Sequence, residues 1–222
     1  MKKVLVIAPH PDDETLGCGG TLLRHQAEGC SLHWLIATEM RPELGYSAQE
    51  IALRRAEVDA VSLRFGFAST DSLGFAAARL DTEPKGEIIK RMAEVFHRLE
   101  PEVVYLPFAG DAHSDHKVVF EAGMACCKWF RFPWVKRVLA YETLSETDAN
   151  LDPCVTGFRP NVFVDITGFL ETKLAILPLF AGETGAFPFP RSARAIRALA
   201  EVRGSAAGSQ AAEAFMLLRE VI

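Results

Sequence analysis

Residues 4–8, VLVIA, constrain the fold more than any other stretch of this chain. Five apolar residues in a row leave no face for water, so a strand built from them must be covered on both sides. Strands of that kind belong to parallel sheets with helices on each face. The chain is long enough and apolar enough for such a core, with 222 residues, 49% of them hydrophobic. That length favours one domain spanning residues 1–222.

The rest of the chain repeats the pattern. Strands are predicted over 32–38, 103–107, 137–143 and 161–166, and a weaker one over 70–73. Helical spacing runs over 16–28, 47–65, 86–99 and 114–130. Gly29 is placed to stop the first helix, and Ser47-Ala-Gln-Glu50 is a capping-box sequence that starts the second. In 86–99, Ile89, Met92, Phe96 and Leu99 share a stripe. Strands alternating with helices of this length imply crossover units and a mainly parallel sheet. The last third differs, with helices predicted over 167–180, 192–202 and 209–221, and Gly204 expected just past the second of them. An α/β domain with a C-terminal helical appendage over about 167–222 is therefore expected.

Composition excludes several functions. The net charge is −5, from 24 basic and 29 acidic residues, and the basic residues are scattered. Nucleic-acid binding needs clustered Lys and Arg, so no nucleic-acid partner is expected. No apolar stretch reaches the length of a membrane span, so no membrane partner is expected either. The opening MKKVLVIAPH has too short an apolar part for a signal peptide and meets carboxylates at once, which points to a cytoplasmic protein. The five Cys are odd in number and irregular in spacing, as reduced buried thiols would be.

The first strand ends in HPDDE, with His10, Asp12, Asp13 and Glu14. The strand at 103–107 leads into FAGDAHSDHKVV, with Asp111, His113, Asp115 and His116. Ligands of open α/β sheets sit beyond the carboxyl ends of strands, so the two clusters can converge on one crevice. One or two acids in a first helical turn are ordinary capping. Three acids with a His, matched by a distant HxDH, point instead to a metal. Hydrolytic zinc takes three N or O ligands and keeps one position open. His10 and Asp13, three apart, can face one way, and His116 could be the third ligand. Asp12 could then act as base toward water, with Asp115 or Glu14 orienting imidazoles. Gly17, Gly19 and Gly20 lie too far beyond the strand for a dinucleotide fingerprint.

PHPDDE after an apolar strand, with HSDH about a hundred residues on, resembles the LmbE-like, or PIG-L, family of metal-dependent de-N-acetylases. Pro9 stands where the family usually has Ala. Supporting similarity lies in Arg54-Arg55-Ala56-Glu57, in FRPNVFVDIT at 158–167, and in the C-terminal VRG and AEAF segments. The resemblance implies a Rossmann-like three-layer α/β/α sandwich and hydrolysis of the N-acetyl group of an N-acetylglucosamine-type sugar or glycoconjugate. It implies His10, Asp13 and His116 as metal ligands and Asp12 as general base. His113 would stabilise the oxyanion or protonate the leaving amine, and Asp115 would hold an active-site His. The implied metal is zinc, with ferrous iron compatible with the same donors. Another metal-dependent amide hydrolase and a non-catalytic sugar-binding protein are the alternatives, and a homo-oligomer is compatible with the sequence.

Arg54 lies on an apolar stripe with Ile51, Val58, Val61 and Phe65, where a guanidinium needs a carboxylate or a polar ligand. Glu50 or Glu57 could pair with it, and the resemblance implies contact with sugar hydroxyls. His25, His33 and His97 read as satisfied or solvated imidazoles. Glu39, Arg203 and Glu213 could reach the crevice or serve the scaffold. Specificity is expected from loops at 39–47, 74–84, 145–160 and 181–191, the last carrying FPFP as a groove wall or a subunit contact.

Overall fold

A computed structural model describes residues 1–222. Seven strands form one sheet in the order β3-β2-β1-β4-β5-β7-β6. The run that opens the chain is the central strand β1 (Lys3–Ala8), parallel to β2 (Ser31–Glu39) on one side and β4 (Val103–Pro107) on the other. β3 (Ser69–Ala76) extends one edge, and β5 (Arg137–Tyr141) continues the other, both parallel to their neighbours. Alternation along β1 divides the core. Val4, Val6 and Ala8 point to one face, and Leu5 and Ile7 to the other.

The first face is covered by α1 (Asp13–Ala27), α2 (Ala48–Phe65), α5 (Leu170–Ile176) and α6 (Ala193–Ala207), which contribute Leu16, Leu22, Val61, Phe65, Ile176 and Ile196. α3 (Lys85–Leu99) and α4 (Ser114–Ala125) cover the second with Ile88, Met92, Phe96, Val119 and Ala122. The three-layer α/β expectation holds. The capping box at Ser47 and Glu50 is formed in both directions.

Three local expectations are corrected. Residues 209–221 are not a helix: β7 (Ala212–Glu220) is a strand, antiparallel to β5 and to β6 (Val162–Asp165). The segment is rich in helix formers, and pairing on both edges, with Phe215 fully buried, overrides that propensity. The C-terminal region is therefore helical only in α5 and α6, and its strands complete the sheet. Gly204 is not a stop either. It lies inside α6, where a Cβ would meet the Ser209 carbonyl oxygen at 2.7 Å, and the helix ends at Gly208 with φ +76°. The thiols are reduced, but Cys154 is exposed and Cys30 half-buried, so burial holds only for Cys18, Cys126 and Cys127. No helix is long and apolar enough to cross a membrane.

The chain goes from β1 outward through β2 and β3, then returns to the other side of β1 for β4 and β5. The order reverses between β1 and β4, and the crevice at such a switch point is where α/β sheets place ligands. Both charged motifs leave the sheet there.

Candidate active site

α1 begins at Asp13, so the acidic motif itself makes the strand-to-helix turn. Asp12 takes φ 139°, ψ −26°, a conformation that side-chain-bearing residues seldom adopt. Strain of this kind costs about 1–3 kcal/mol and persists where surrounding contacts fix it. Here the Asp12 N–H donates to Glu14 Oε2 at 3.0 Å, and its carbonyl accepts from the Leu16 N–H at 2.9 Å. Glu14, fully buried, thus braces the turn; burial pushes its carboxyl up to about 8. Gly17 lets the helix lie against the sheet, since a Cβ there would overlap the Tyr141 ring.

The second motif enters from the end of β4 and starts α4. His113 caps that helix, its Nδ1 accepting from the Asp115 N–H at 3.1 Å. The three imidazoles of the two motifs come together, with ring centroids of His10 and His113 4.6 Å apart and of His10 and His116 5.6 Å apart.

One nitrogen of each outer imidazole is fixed by a carboxylate. His10 Nε2 meets Asp115 Oδ2 at 3.0 Å, and His116 Nδ1 meets Asp111 Oδ2 at 2.8 Å. The opposite nitrogens face Asp13: His10 Nδ1 and His116 Nε2 each lie 3.4 Å from Asp13 Oδ2. Asp13 Oδ1 and His116 Nε2 are buried and have no hydrogen-bond partner. His10, Asp13 and His116 can each turn a ligating atom to within 4.8 Å of the others. Two buried ligating atoms without hydrogen-bond partners, with each imidazole steadied from behind by a carboxylate, fit a divalent cation. The electrostatics agree. Burial opposes charge on both rings, yet carboxylate contacts raise His10 to about 9 and His116 to about 10. Asp13 is held well below the usual carboxylate range despite its burial, chiefly by His116 and His10. The cluster calls for positive charge where its ligating atoms converge.

Asp115 is tied to more than His10. Its carboxylate also accepts from the Ala78 and Leu80 N–H groups at 2.7 and 3.0 Å, binding the loop after β3 to the site. The imidazole it holds is His10, while His113 is held by its backbone N–H. Asp111 accepts from Thr147 Oγ1 at 2.6 Å as well as from His116.

A cleft of about 240 Å³ opens beside His10, Asp12 and His113. All four loops expected to set specificity reach it, through Glu39, Met40 and Tyr46, through Ala77 and Ala78, through Glu146, and through Glu183 and Arg191. Arg54 lines it too, and a second cavity of about 260 Å³ shares Pro11, Thr38, Glu39, Met40 and Arg54 with it. Protein groups hold the Arg54 guanidinium on several sides: Glu183 Oε1 at 2.6 Å, Glu57 Oε2 at 3.2 Å and the Pro11 carbonyl at 3.3 Å. Glu50 serves the helix cap instead.

Sequence reasoning missed Arg191. Its Nη1 donates to Asp12 Oδ2 at 2.5 Å and to Glu183 Oε2 at 3.2 Å, and its Nε to Ser145 Oγ at 2.8 Å. The residue ends the loop at 181–191, but its partner lies 179 positions away, and no local pattern announces such a contact. Two other candidates lie off the cleft. Glu213 is buried under α1, and Arg203 grips Glu142 at 2.6–2.7 Å. His25 comes near Glu28 and Cys30 at the far end of α1, where Glu28 is exposed and paired with Arg24. Phe187 and Phe189 are exposed outside the cleft, with Arg194 stacked on Phe187 at 4.3 Å.

Known proteins resemble this chain in sequence and in fold. A family model described as PIG-L: GlcNAc-PI de-N-acetylase matches residues 5–127. The diacetylchitobiose deacetylase of Thermococcus kodakarensis is 32% identical over 190 residues, covering 78% of this chain and 67% of that protein. The 1D-myo-inositol 2-acetamido-2-deoxy-alpha-D-glucopyranoside deacetylase of Mycobacteroides abscessus is 28% identical over 224 residues, covering 79% of each. Among solved structures, a conserved protein of Thermus thermophilus superposes with a TM-score of 0.80 at 28% identity, covering 100% of this chain and 97% of that one.

Proposed function

The chain belongs to the PIG-L (GlcNAc-PI de-N-acetylase) family, and from that premise we propose that it hydrolyses the N-acetyl group of an N-acetylglucosamine-containing small molecule. The products are acetate and a free amine. The observation that carries this proposal is the pair of buried, partnerless ligating atoms, His116 Nε2 and Asp13 Oδ1, grouped with His10, which lines the cleft.

His10, Asp13 and His116 are assigned as the residues that hold a divalent ion, which we take to be zinc from the two-nitrogen, one-carboxylate donor set. Such an ion supplies Lewis acidity toward the amide carbonyl and toward water. The other steps fall to side chains. Asp12, at the cleft wall, takes the proton of the attacking water. His113 faces the developing oxyanion. Its Nδ1 accepts a backbone hydrogen bond, so in the neutral ring the proton resides on Nε2, which is then a donor. Burial lowers His113 and favours that neutral form. As the C–N bond breaks, the departing nitrogen takes the proton that Asp12 removed from water and leaves as the amine, which returns Asp12 to its carboxylate form. Asp115 positions His10, and Asp111 positions His116.

Arg54, which lines the cleft with Glu39 and Tyr46, is assigned to its sugar side. A raised KM in Arg54→Ala with an unchanged melting temperature supports that assignment; an unfolded variant makes the contacts to Glu57 and Glu183 its whole role.

The test is an acetate-release screen over N-acetylated amino sugars, diacetylchitobiose and N-acetylglucosaminyl glycosides among them, with chelation and zinc add-back. Zinc-restored release from at least one of them is expected. Zinc-loaded protein that releases acetate from none overturns the proposal.

A further inference from the structure

Asp12 and Asp13 are adjacent in the chain, both buried, and only one of them belongs with the imidazoles. A carboxylate on a flexible side chain beside a divalent ion tends to join its ligands. A base that becomes a ligand is lost as a base. Something must hold Asp12 apart, and the unusual backbone at φ 139° sets the direction of the Cβ without fixing the carboxylate.

We propose that Arg191 is a positioning residue that holds the Asp12 carboxylate away from the His10–Asp13–His116 ligand set. The inference rests on the base role given to Asp12 above. Three features carry it. First, the contact is short, 2.5 Å from Nη1 to Asp12 Oδ2, and Arg191 is largely buried. Second, Arg191 is fixed independently of Asp12. Its Nε donates to Ser145 Oγ at 2.8 Å, its Nη1 to Glu183 Oε2 at 3.2 Å, and its Nη2 lies 3.4 Å from Glu146 Oε1. Those acceptors come from the segment after β5 and from the loop at 181–191, so the guanidinium is an anchor set by the scaffold. Third, the strap that delivers it is itself tied down. The Ala181 N–H donates to Glu57 Oε1 at 3.2 Å, and Glu183 Oε1 takes Arg54. A planar guanidinium spans several acceptors in a fixed fork; an ammonium is a point charge and cannot hold all of them at once.

The experiment compares wild type, Arg191→Ala, Arg191→Lys, Asp12→Asn and the Arg191→Ala/Asp12→Asn pair. Zinc affinity is measured by competition with a chromophoric chelator, kcat and KM by acetate release, and folding by thermal unfolding. Released from Arg191, Asp12 joins the ion, so Arg191→Ala binds zinc on the order of tenfold more tightly. Its kcat falls on the order of 10²-fold, as for a misplaced base, with KM little changed. Adding Asp12→Asn removes the tightening. Arg191→Lys, which keeps the charge should the Ala variant not fold, loses about tenfold in kcat because the fork is gone. Zinc binding in Arg191→Ala equal to or weaker than wild type overturns the proposal, as does a raised KM at constant kcat, which would make Arg191 a substrate contact. A Lys variant equal to wild type in both zinc affinity and kcat also overturns it. Absence of acetate release by the wild type would sink the proposed function alone, because the affinity comparison between Arg191→Ala and the double variant still decides what Arg191 does.

Discussion

Buried acids meet α1 at two places, Glu213 of β7 against the middle of the helix and Asp13 at its start, and they differ in what their atoms touch. Midway along the helix, Glu213 Oε1 accepts from the Gly20 N–H at 2.8 Å and from Lys173 Nζ at 2.6 Å, and its Oε2 accepts from the Thr21 N–H at 2.7 Å. Lys173 also donates to the Leu16 carbonyl at 2.8 Å. Each charged group there has its partners. At the start of the helix, Asp13 Oδ1 and His116 Nε2 have no hydrogen-bond partner, and the nearest acid to His116 Nε2 is Asp13 Oδ2 at 3.4 Å. Asp13, His116, Glu213 and Lys173 are all buried, so burial of charge does not separate structure from chemistry. Unfilled bonding capacity on the acid and the imidazole does, since the partnerless atom mid-helix is only the neutral Thr21 hydroxyl. A buried polar group without a partner costs about 1–3 kcal/mol, and an ion at Asp13 and His116 would offset that cost.

The comparison can be broken from either side. The largest effect is expected at the start of the helix. Asp12→Asn lowers kcat on the order of 10³-fold while zinc content per chain stays that of the wild type. Equal loss of zinc and activity would move Asp12 into the ligand set. Next, His116→Ala removes an ion ligand, so zinc content measured by elemental analysis falls and acetate release is lost with it, and added zinc does not restore either at concentrations that reload chelated wild type.

Mid-helix, the effect should be on stability alone. Glu213→Ala leaves Lys173 buried without its counter-charge and costs about 3–5 kcal/mol in chemical denaturation. The molecules that remain folded should deacetylate as well as wild type. A loss of kcat with unchanged stability would show that Glu213 belongs to the chemistry. The smallest effect is at the surface. Ser47→Ala breaks the capping box of α2 and costs about 1 kcal/mol, with no change in zinc affinity. A larger loss would mean that α2 carries Arg54 and Glu57 into the site more delicately than one cap implies.

Much of this was legible in order. The apolar run at 4–8 announced β1 as a parallel strand covered on both faces, and the two motifs pointed to one crevice, where the structure brings His10, Asp13 and His116 together, because both clusters sit where strands end. The capping box at Ser47 was readable because all its parts lie within four residues. β7 was not readable. AEAFMLLRE carries a helix-like composition, and only β5 on one side and β6 on the other make it a strand. Gly204 looked like a helix stop because glycine is common there; here its missing Cβ is needed by the returning backbone at Ser209 to Ala211.

The sequence by itself determined the layered α/β class and the chemical types that meet at the crevice. Those properties follow from local patterning: apolar runs that must be covered, and acids and imidazoles set at strand ends. The tertiary structure decided which carboxylate does what. Asp115 and Asp111 each back an imidazole, Asp13 faces both rings, Asp12 lies against Arg191, and Glu213 answers Lys173. These acids are alike as residues. Their partners come from distant segments, and a carboxylate takes its role from whatever the folded chain sets within about 3 Å of it.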